Sequence, residues 1–485
     1  MGESGSKKPR VVIVGAGMAG LAAARRLHSS AGEYFDIIVV ESGDRVGGRI
    51  LTSEFAGAQV EIGATWIHGI DGSPIYELAK KAGALKLPED LGRKSLPLPW
   101  ERMDGFPSDP LTLAEGGLAV DSYLLQRVSS LFSRLKHRIA SGEADSDLPS
   151  VGAFLRRGFH SHRAEGGGDW IEEAAFAMHE CVERAYTAVD DLESLDLAAE
   201  KEYVEFSGEQ ITIPRGYSEV PRFLAATLPP CTIRLRRTVS RIEWDEEPVR
   251  LHFDDGSVEL ADHAIVTVSL GVLKAGIQSD AGLSFSPVLP EAKREAIRRL
   301  GFGLVTKLFM ELEDKDGEKP PFPFLRMAFN PGRHVASIPR WMRRTESISP
   351  IYGGSRLLLA WFVGREAAEV EKMNDDEIIS GVQATLVGLL PSAGGVAHGA
   401  DRWRIARVRK SGWGTDPFFL GSYSYVAVGS SGDDQDALAV PLPSLRILFA
   451  GEATHRTRYA TTHGAYLSGV READRLLRYY NLYGD

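Results

Sequence analysis

Three features of this sequence have the residue types and spacing that chemistry requires: a glycine-rich turn, a strand lysine and a histidine. The turn places Gly15, Gly17 and Gly20 directly after the β-branched run at 10–14. There, Gly15 would make the tight turn, Gly17 would let backbone N–H groups approach a pyrophosphate, and Gly20 would let the next helix pack on the strand. The N-terminus of that helix would face the phosphates with its partial positive charge.

The residues after the turn indicate a dinucleotide, and FAD rather than NAD. A second apolar run at 36–40 ends at Glu41, whose carboxylate would accept hydrogen bonds from ribose hydroxyls and repel a 2′-phosphate. The glycine pair Gly47-Gly48 and then Arg49 follow, and this arginine would add charge-assisted contacts to phosphate. A chance glycine-rich turn and a solvated arginine are the alternatives.

Lys307 lies in the apolar run LVTKLFMEL at 304–312. Because side chains alternate along a strand, it should share one face with Val305 and Phe309, while the opposite face is also largely apolar. A lysine in that position is not expected to be fully solvated, which makes it the first candidate for catalysis. A lysine that reaches solvent from the end of a strand is the alternative.

His68 in the segment TWIHG at 65–69 is the second catalytic candidate. An imidazole titrates close to neutral pH and could accept or steer a substrate proton. A hydrogen-bonded histidine with a purely structural role explains the residue equally well.

Apolar patterning predicts the elements that must position these groups, and it indicates an α/β protein. Strands are predicted at 10–14, 36–40, within 232–268 with a hairpin turn at Asp255-Gly256, at 304–311 and at 445–450; helices are predicted at 18–28, 118–140, 170–186, 290–300, 375–390 and 464–480. The proline-rich stretch 87–113 is predicted to be irregular. Since strands come from both ends and the middle of the chain, we expect two interleaved domains.

Composition and charge describe an ordinary globular chain of 485 residues with a net charge of −10. That charge argues against general nucleic-acid binding. The 51 glycines follow no tripeptide period, so collagen is excluded. Only Cys181 and Cys231 are present and they form no metal-site spacing, so we expect no metal and a cytoplasmic protein. No apolar run reaches the length of a membrane span, and we expect no membrane partner.

Five separated motifs resemble those of the flavin-dependent amine oxidases, in the same order and over nearly the whole chain. They are GAGMAGL (15–21), E…RVGGR (41–49), EIGATWIHG (61–69), LVTKLFMEL (304–312) and LFAGEATH…TTHGAYLSG (448–469). Within that family the sequence is most similar to polyamine oxidases of the spermine or thermospermine oxidase type, including the plant enzymes.

The resemblance implies an α/β fold in which a Rossmann-like FAD-binding domain is interleaved with an α+β substrate-binding domain. The FAD-binding domain would comprise residues 1–86, 215–290 and 405–485, and the substrate-binding domain residues 87–214 and 291–404.

The resemblance also implies non-covalent FAD, because family members that attach the flavin use a cysteine in the C-terminal region and no cysteine follows Cys231. The residues implied to bind FAD are Gly15, Gly17, Gly20, Glu41, Arg49, Ala64, Thr65, Val239 through its backbone, Trp413, Gly451, Glu452, Thr461 and Thr462. Many polyamine oxidases have an aromatic residue near the last motif, where this sequence has Thr461 and Thr462, so a full aromatic cage is not expected.

For the substrate, the resemblance implies that Lys307 holds a water near flavin N5 and that His68 handles a proton. Acids should bind the distant ammonium groups, with Glu183 as first choice, Glu180 as second and Glu205 as a further candidate. Aromatic side chains should line the tunnel and hold the polymethylene chain, with core packing as the alternative. They are Trp66, Tyr423 and Tyr425.

The expected reaction is oxidation of a secondary amine of spermine or thermospermine to an imine, which water hydrolyses to spermidine and 3-aminopropanal while O2 is reduced to hydrogen peroxide. A monomer or weak homo-oligomer is expected. The alternatives are a histone-lysine demethylase-like enzyme, another amine or amino-acid oxidase, an NAD-dependent dehydrogenase, and a flavoprotein without enzymatic activity.

Overall fold

The computed structural model describes residues 8–86, 110–144, 147–164, 169–279, 282–313, 322–332, 338–352, 354–390 and 403–483. The strands are β1 (Arg10–Val14), β2 (Asp36–Val40), β3 (Thr52–Phe55), β4 (Ala58–Glu61), β5 (Trp66–Ile67), β6 (Leu111–Ala114), β7 (Leu118–Ala119), β8 (Ile211–Thr212), β9 (Ile233–Arg234), β10 (Val239–Glu243), β11 (Val249–Phe253), β12 (Val258–Ala261), β13 (His263–Val266), β14 (Ser284–Ser286), β15 (Gly301–Gly303), β16 (Val305–Leu312), β17 (Leu325–Ala328), β18 (Ser347–Pro350), β19 (Leu357–Val363), β20 (Ile405–Lys410), β21 (Tyr423–Tyr425) and β22 (Ile447–Phe449). The helices are α1 (Met18–Ala31), α2 (Pro74–Lys81), α3 (Ser122–Ala140), α4 (Val151–Ala164), α5 (Trp170–Thr187), α6 (Leu197–Glu200), α7 (Glu219–Ala226), α8 (Leu270–Gln278), α9 (Glu291–Arg299), α10 (Arg365–Lys372), α11 (Asp375–Leu389), α12 (Gly432–Ala439) and α13 (Thr462–Tyr479).

A five-stranded parallel sheet has the order β22-β13-β1-β2-β9 and draws its strands from the two ends and the middle of the chain. Its central strand β1 is buried and β-branched, as expected of a parallel strand covered on both faces. Val14 at the end of β1 is in register with Val40 and Val266. The loops after β1, β2 and β13 therefore leave the sheet at one edge, where α/β sheets bind their ligands.

Both faces of this parallel sheet are covered. On one face α1 and α13 pack together, and a Cβ on Gly469 would come within 2.0 Å of the Ala19 carbonyl oxygen. On the other face the buried core includes residues of the small sheet β12-β11-β10-β14 and of α8, α9 and α12.

A seven-stranded sheet with the order β20-β16-β19-β18-β17-β6-β7 forms the second layer system. Its strand β16 carries Lys307 and pairs with both β19 and β20. Helices α10 and α11 pack against this sheet around a core of its own. A separate core joins α3, α4 and α5, and α5 also contacts β17 and β19.

The structure confirms the α/β fold, the strand–turn–helix–strand unit at the N-terminus, and the hairpin at Asp255-Gly256, where Gly256 has φ +79°. The helix predicted at 118–140 begins instead at Ser122, because Leu118–Ala119 pairs with β6 and Asp121 caps the helix. Within the stretch predicted to be irregular, residues 111–114 form β6 and residues 87–109 lie outside the described ranges.

Two boundaries of the proposed domain division move once the packing is known. The strand β20 at 405–410 belongs to the seven-stranded sheet, so we place the last FAD-binding segment after it. Helix α9 packs on α12, so we place it with the FAD-binding segments. In the described part of the chain, no helix combines the length and apolar character that crossing a membrane requires.

Candidate active site

A cavity of about 930 Å³ lies between the five-stranded parallel sheet, the seven-stranded sheet and helices α3 and α5. Its lining includes the turn after β1, the segment 61–66, the face of β16 that carries Lys307, one side of α5 and the N-terminus of α13. Elements distant in sequence therefore meet around one space.

The glycine turn forms one end of this cavity, and each glycine is there for a different reason. Gly15 has φ +109°, and a Cβ there would lie 2.5 Å from Thr267 Oγ1. A Cβ on Gly20 would lie 1.9 Å from the Gly15 carbonyl oxygen, so Gly20 allows α1 to pack against the turn. At Gly17, which lines the cavity, a Cβ would meet no protein atom closer than 4.0 Å. We call this opening the cradle, because a ligand there could approach backbone N–H groups closely.

Glu41 is held at the edge of the cavity by the backbone. Its Oε2 accepts from Ala16 N at 2.7 Å and its Oε1 accepts from Gly43 N at 2.8 Å. Since a carboxylate has about four acceptor sites, both oxygens can accept further donors such as ribose hydroxyls. The fixed carboxylate is a fitting partner for an adenosine ribose.

Arg49 and Glu452 form a salt bridge on the cavity wall, with Arg49 Nη1 donating to Glu452 Oε1 at 3.0 Å. The same Nη1 donates to the Ser422 carbonyl at 2.7 Å, and Glu452 Oε2 accepts from Ser424 Oγ at 2.6 Å and Ala460 N at 2.8 Å. Glu452 is buried, so this pair links the loop after β2 to the segment before α13.

The other residues predicted to bind FAD divide into those that line the cavity and one that does not. Ala64, Thr65, Trp413, Gly451, Thr461 and Thr462 line it. Thr461 caps α13 by accepting from Gly464 N at 3.0 Å, and since Thr461 and Thr462 line the cavity, the N-terminus of this helix faces it. Val239 is absent from the lining and packs in the core behind the sheet, so the geometry does not support its predicted contact.

Lys307 has the orientation that strand alternation predicts, with Val305, Lys307 and Phe309 all lining the cavity. Its Nζ donates to the Glu61 carbonyl at 2.7 Å, the Gly63 carbonyl at 2.5 Å and Thr65 Oγ1 at 2.5 Å. Nζ also lies 4.6 Å from the ring centre of Trp361, its partner on β19. Burial lowers the pKa of Lys307 to about 7.

Glu61 is a buried acid next to this lysine that the sequence analysis did not single out. Burial raises the pKa of its carboxyl group to about 7, although Oε1 accepts from Tyr217 N at 2.9 Å and both oxygens accept from Thr52 Oγ1. Glu61 is the first residue of the EIGATWIHG segment, but no feature of the sequence indicated that its carboxyl group would be buried.

His68 lines the cavity and is half-buried. Its Nδ1 lies 2.9 Å from Gln210 Oε1. With that oxygen as acceptor, Nδ1 carries the hydrogen and Nε2 is left as a proton acceptor. Trp66, two residues earlier, also lines the cavity and is fixed by its pairing with Thr212.

Of the three predicted substrate acids, Glu183 and Glu205 line the cavity and Glu180 does not. Glu183 forms a salt bridge with Lys136 of α3. Glu180 is turned toward α4, where Arg156 binds its carboxylate through Nε and Nη2. The predicted role of Glu180 in substrate binding therefore finds no support in the geometry.

Sequence reasoning missed two further carboxylates and two cations of the cavity wall. Glu200 on α6 accepts from the Tyr459 hydroxyl at 3.0 Å, and Glu346, just before β18, lies 3.6 Å from Arg326. Burial raises the pKa of both carboxyl groups. No local pattern marked these residues, because separate elements bring them together.

We call the four carboxylates of Glu183, Glu200, Glu205 and Glu346, with Lys136 and Arg326, the acidic end of the cavity. Tyr186 also lines this end, and burial, followed by the carboxylates of Glu205, Glu183 and Glu346, raises the pKa of its hydroxyl to about 12. The aromatic walls include the predicted Tyr423, whose hydroxyl donates to the Ala185 carbonyl at 2.5 Å, and Tyr425, which packs on Gly301.

The residues of the wall fit FAD on structural grounds. The open cradle at Gly17, the fixed acceptor Glu41 and the Arg49–Glu452 pair line the same cavity as the capped N-terminus of α13 and the Lys307 ammonium. Cys181 and Cys231 are the only cysteines of the sequence, and neither lies in the C-terminal segments.

Comparison with known proteins gives concordant results. The family model described as flavin containing amine oxidoreductase matches residues 18–477. Polyamine oxidase 1 of Oryza sativa subsp. japonica is 53% identical over 98% of each chain. Probable polyamine oxidase 5 of Arabidopsis thaliana is 46% identical over 98% of this chain and 99% of that protein. The solved structure of cyclohexylamine oxidase from Brevibacterium oxydans has a TM-score of 0.69 at 18% identity, covers 98% of this chain and 100% of that one, and shows the same fold.

The glycine geometry yields a prediction that separates folding from ligand binding. In Gly20→Ala the new methyl group would meet backbone, so we expect the flavin-free protein to lose roughly 1–3 kcal/mol of unfolding free energy. In Gly17→Ala the methyl group would enter the cradle, so we expect little change in that free energy but weaker FAD binding. Urea unfolding of the flavin-free protein and titration with FAD measure the two quantities. Equal loss of stability in both variants would contradict the assignment.

Proposed function

The chain belongs to the flavin-containing amine oxidoreductases, and we propose that it oxidises a secondary amine of spermine or thermospermine. It is an FAD-dependent amine oxidase with non-covalently bound cofactor. The observation that carries the proposed substrate is the acidic end, where four carboxylates line the same cavity as Lys307. The names of the rice and Arabidopsis relatives support the same substrate class.

Charge is the main argument for a polycation. Lys136 and Arg326 offset two of the four carboxylates, so about two negative charges of the acidic end remain for a ligand. Glu205 makes no salt bridge within the described ranges, and it faces the cavity. An amine with ammonium groups beyond the reacting nitrogen would satisfy these carboxylates, whereas a monoamine would leave them without a cation.

The walls suit the methylene segments of such a substrate. Tyr186, Tyr203 and Tyr425 line the cavity near the acids, and Trp361 lies beside Lys307. Aromatic faces contact CH2 groups and attract neighbouring ammonium groups. The cavity therefore provides aromatic walls beside its anionic groups.

The reaction that we propose balances as amine plus O2 plus water giving spermidine, 3-aminopropanal and hydrogen peroxide. Bound FAD would supply the redox chemistry, which is the removal of two electrons and a proton equivalent from the carbon beside nitrogen, with O2 as the final electron acceptor. The carbon–nitrogen bond becomes an imine, and water adds to it and releases the shorter amine. Attack on the aminopropyl side gives these products from either spermine or thermospermine.

His68 and Lys307 would handle protons in this scheme. A polyamine nitrogen is charged at neutral pH and must lose its proton before oxidation, and His68 Nε2 is a free acceptor on the cavity wall. A charged Lys307 commits all three Nζ hydrogens to protein oxygens, so it would hold a water only by exchanging one of these bonds, such as the one to Thr65 Oγ1.

Three narrower points stay predictions from the sequence. They are O2 as the electron acceptor, a cytoplasmic location, and a monomer or weak homo-oligomer.

The proposed function predicts the spectrum of the enzyme under anaerobic conditions. We expect spermine and thermospermine to bleach the bound flavin, with spermidine and 3-aminopropanal as the products after air is admitted. A histone peptide that bleaches the flavin while polyamines do not would favour the demethylase-like alternative. A yellow protein that no amine bleaches would favour a flavoprotein without enzymatic activity, and a colourless protein a dehydrogenase.

Replacement of Lys307 tests its catalytic role. We expect Lys307→Met to keep its yellow colour and its fold but to slow flavin reduction by spermine by roughly 10²-fold or more, since a proton-handling group is lost. Stopped-flow absorbance measures this rate. Lys80→Met serves as control because Lys80 is an exposed lysine of α2 that contacts its helical neighbours Glu77 and Tyr76 and does not line the cavity. Unchanged flavin reduction in Lys307→Met would remove Lys307 from the mechanism.

A further inference from the structure

The salt bridge between Lys136 and Glu183 places an ammonium group of the protein inside the site where substrate ammonium groups are expected. Both side chains line the cavity. Lys136 projects from α3 and Glu183 from α5, two helices of one packed core, so neither is a mobile surface residue. The lysine therefore competes with any incoming cation for the same carboxylate.

Lys136 stays charged in this position. Burial disfavours its charged form, but Glu183, Glu200 and Glu205 more than offset that cost and raise the pKa of Lys136. Three of the four carboxylates thus act on this one amine, which is a permanent part of the charge balance of the acidic end.

We propose that Lys136 is a resident ammonium group that neutralises Glu183 and thereby sets how many positive charges a substrate must carry. This inference rests on the proposed function, because it assigns the selectivity of the same cavity. Without Lys136 the acidic end would hold one more unpaired negative charge and would favour the more highly charged of two amines. Without the negative charge of Glu183 the acidic end would favour the less highly charged of the two amines.

A matched pair of amines measures this selectivity. Spermine and N-acetylspermine share a skeleton and differ by one ammonium group, so their ratio of kcat/KM reports the charge preference. Where N-acetylspermine is not turned over, its inhibition constant against spermine replaces its kcat/KM. At an effective dielectric constant of about 20, one added charge about 12 Å away corresponds to about a tenfold change in the ratio, and a closer charge corresponds to a larger change.

The two single variants and the double variant form a double-mutant cycle. In this cycle an effect of charge on the kcat/KM ratio differs from an effect of altered structure. We expect Lys136→Met to raise the spermine preference about tenfold and Glu183→Gln to lower it about tenfold. The double variant K136M/E183Q has the wild-type charge balance, so its ratio should return close to the wild-type value. Lys136→Arg retains the charge and should leave the ratio unchanged, as should the surface control Lys80→Met.

The possible outcomes separate this inference from the proposed function. Suppose that the wild-type enzyme oxidises spermine, but that both single variants have the wild-type ratio of kcat/KM for the two amines or shift that ratio in the same direction. Lys136 is then only a structural partner of Glu183. The same conclusion follows if the double variant does not regain the wild-type ratio. If no polyamine bleaches the wild-type flavin, the proposed function itself is overturned and Lys136 has no substrate charge to select. Melting temperatures of all variants show whether a loss of activity reflects unfolding.

Discussion

The desolvation of the Lys307 ammonium group is the constraint on which the rest of the site depends. A buried charge is costly unless hydrogen bonds replace its water. Two of the three oxygens that receive these bonds are backbone carbonyls, of Glu61 and Gly63, so the segment 61–65 has to lie directly against β16. The same segment is tied to the loop after β2, because Ala64 N donates to the Arg49 carbonyl at 3.1 Å. Arg49 in turn forms a salt bridge with Glu452, which lies in the segment before α13. One lysine thus joins the parallel sheet to the seven-stranded sheet.

The acidic end is governed by unbalanced charge, because there the carboxylates outnumber the cations of the protein. Glu200 and Glu346 are buried enough that the pKa of each carboxyl group is raised, so a positive ligand would help to keep them ionised. Such carboxylates bind a cation more tightly than surface acids do, since fewer water molecules screen the attraction. The net charge of the whole chain, −10, carries no information about this arrangement, because only the acids that meet in one cavity decide it.

Sequence analysis was informative where function depends on neighbours along the chain. The glycine turn, the Glu41 position and the face of β16 that carries Lys307 follow from local periodicity and spacing, and the helix predicted from residue 464 begins at Thr462. The choice between Glu180 and Glu183 could not be made in that way. Arg156, which binds Glu180, lies on α4, a helix that the sequence analysis did not identify. The FAD contact predicted for the Val239 backbone stays a prediction, since the position of this residue depends on how β10 packs behind the parallel sheet. Glu200, Glu346, Lys136 and Arg326 come from four separate elements, and no local pattern can bring them together.

The energetics of the Lys136–Glu183 pair argue that selectivity, more than stability, explains its presence. A partly buried ion pair gains little net free energy over a well-packed apolar pair, because each charge loses water on burial. Two apolar residues at these positions would bridge α3 and α5 as well, with no cost of desolvation. An apolar pair would leave the site with the same net charge as the ion pair, but it would offer a substrate ammonium group one carboxylate fewer. What the ion pair adds is a carboxylate for which the Lys136 ammonium group and a substrate ammonium group compete. Glu205, which has no salt bridge within the described ranges, offers a carboxylate without such competition. The two acids therefore differ in what they demand of a ligand, and the first ammonium group to enter the cavity should favour Glu205 over Glu183.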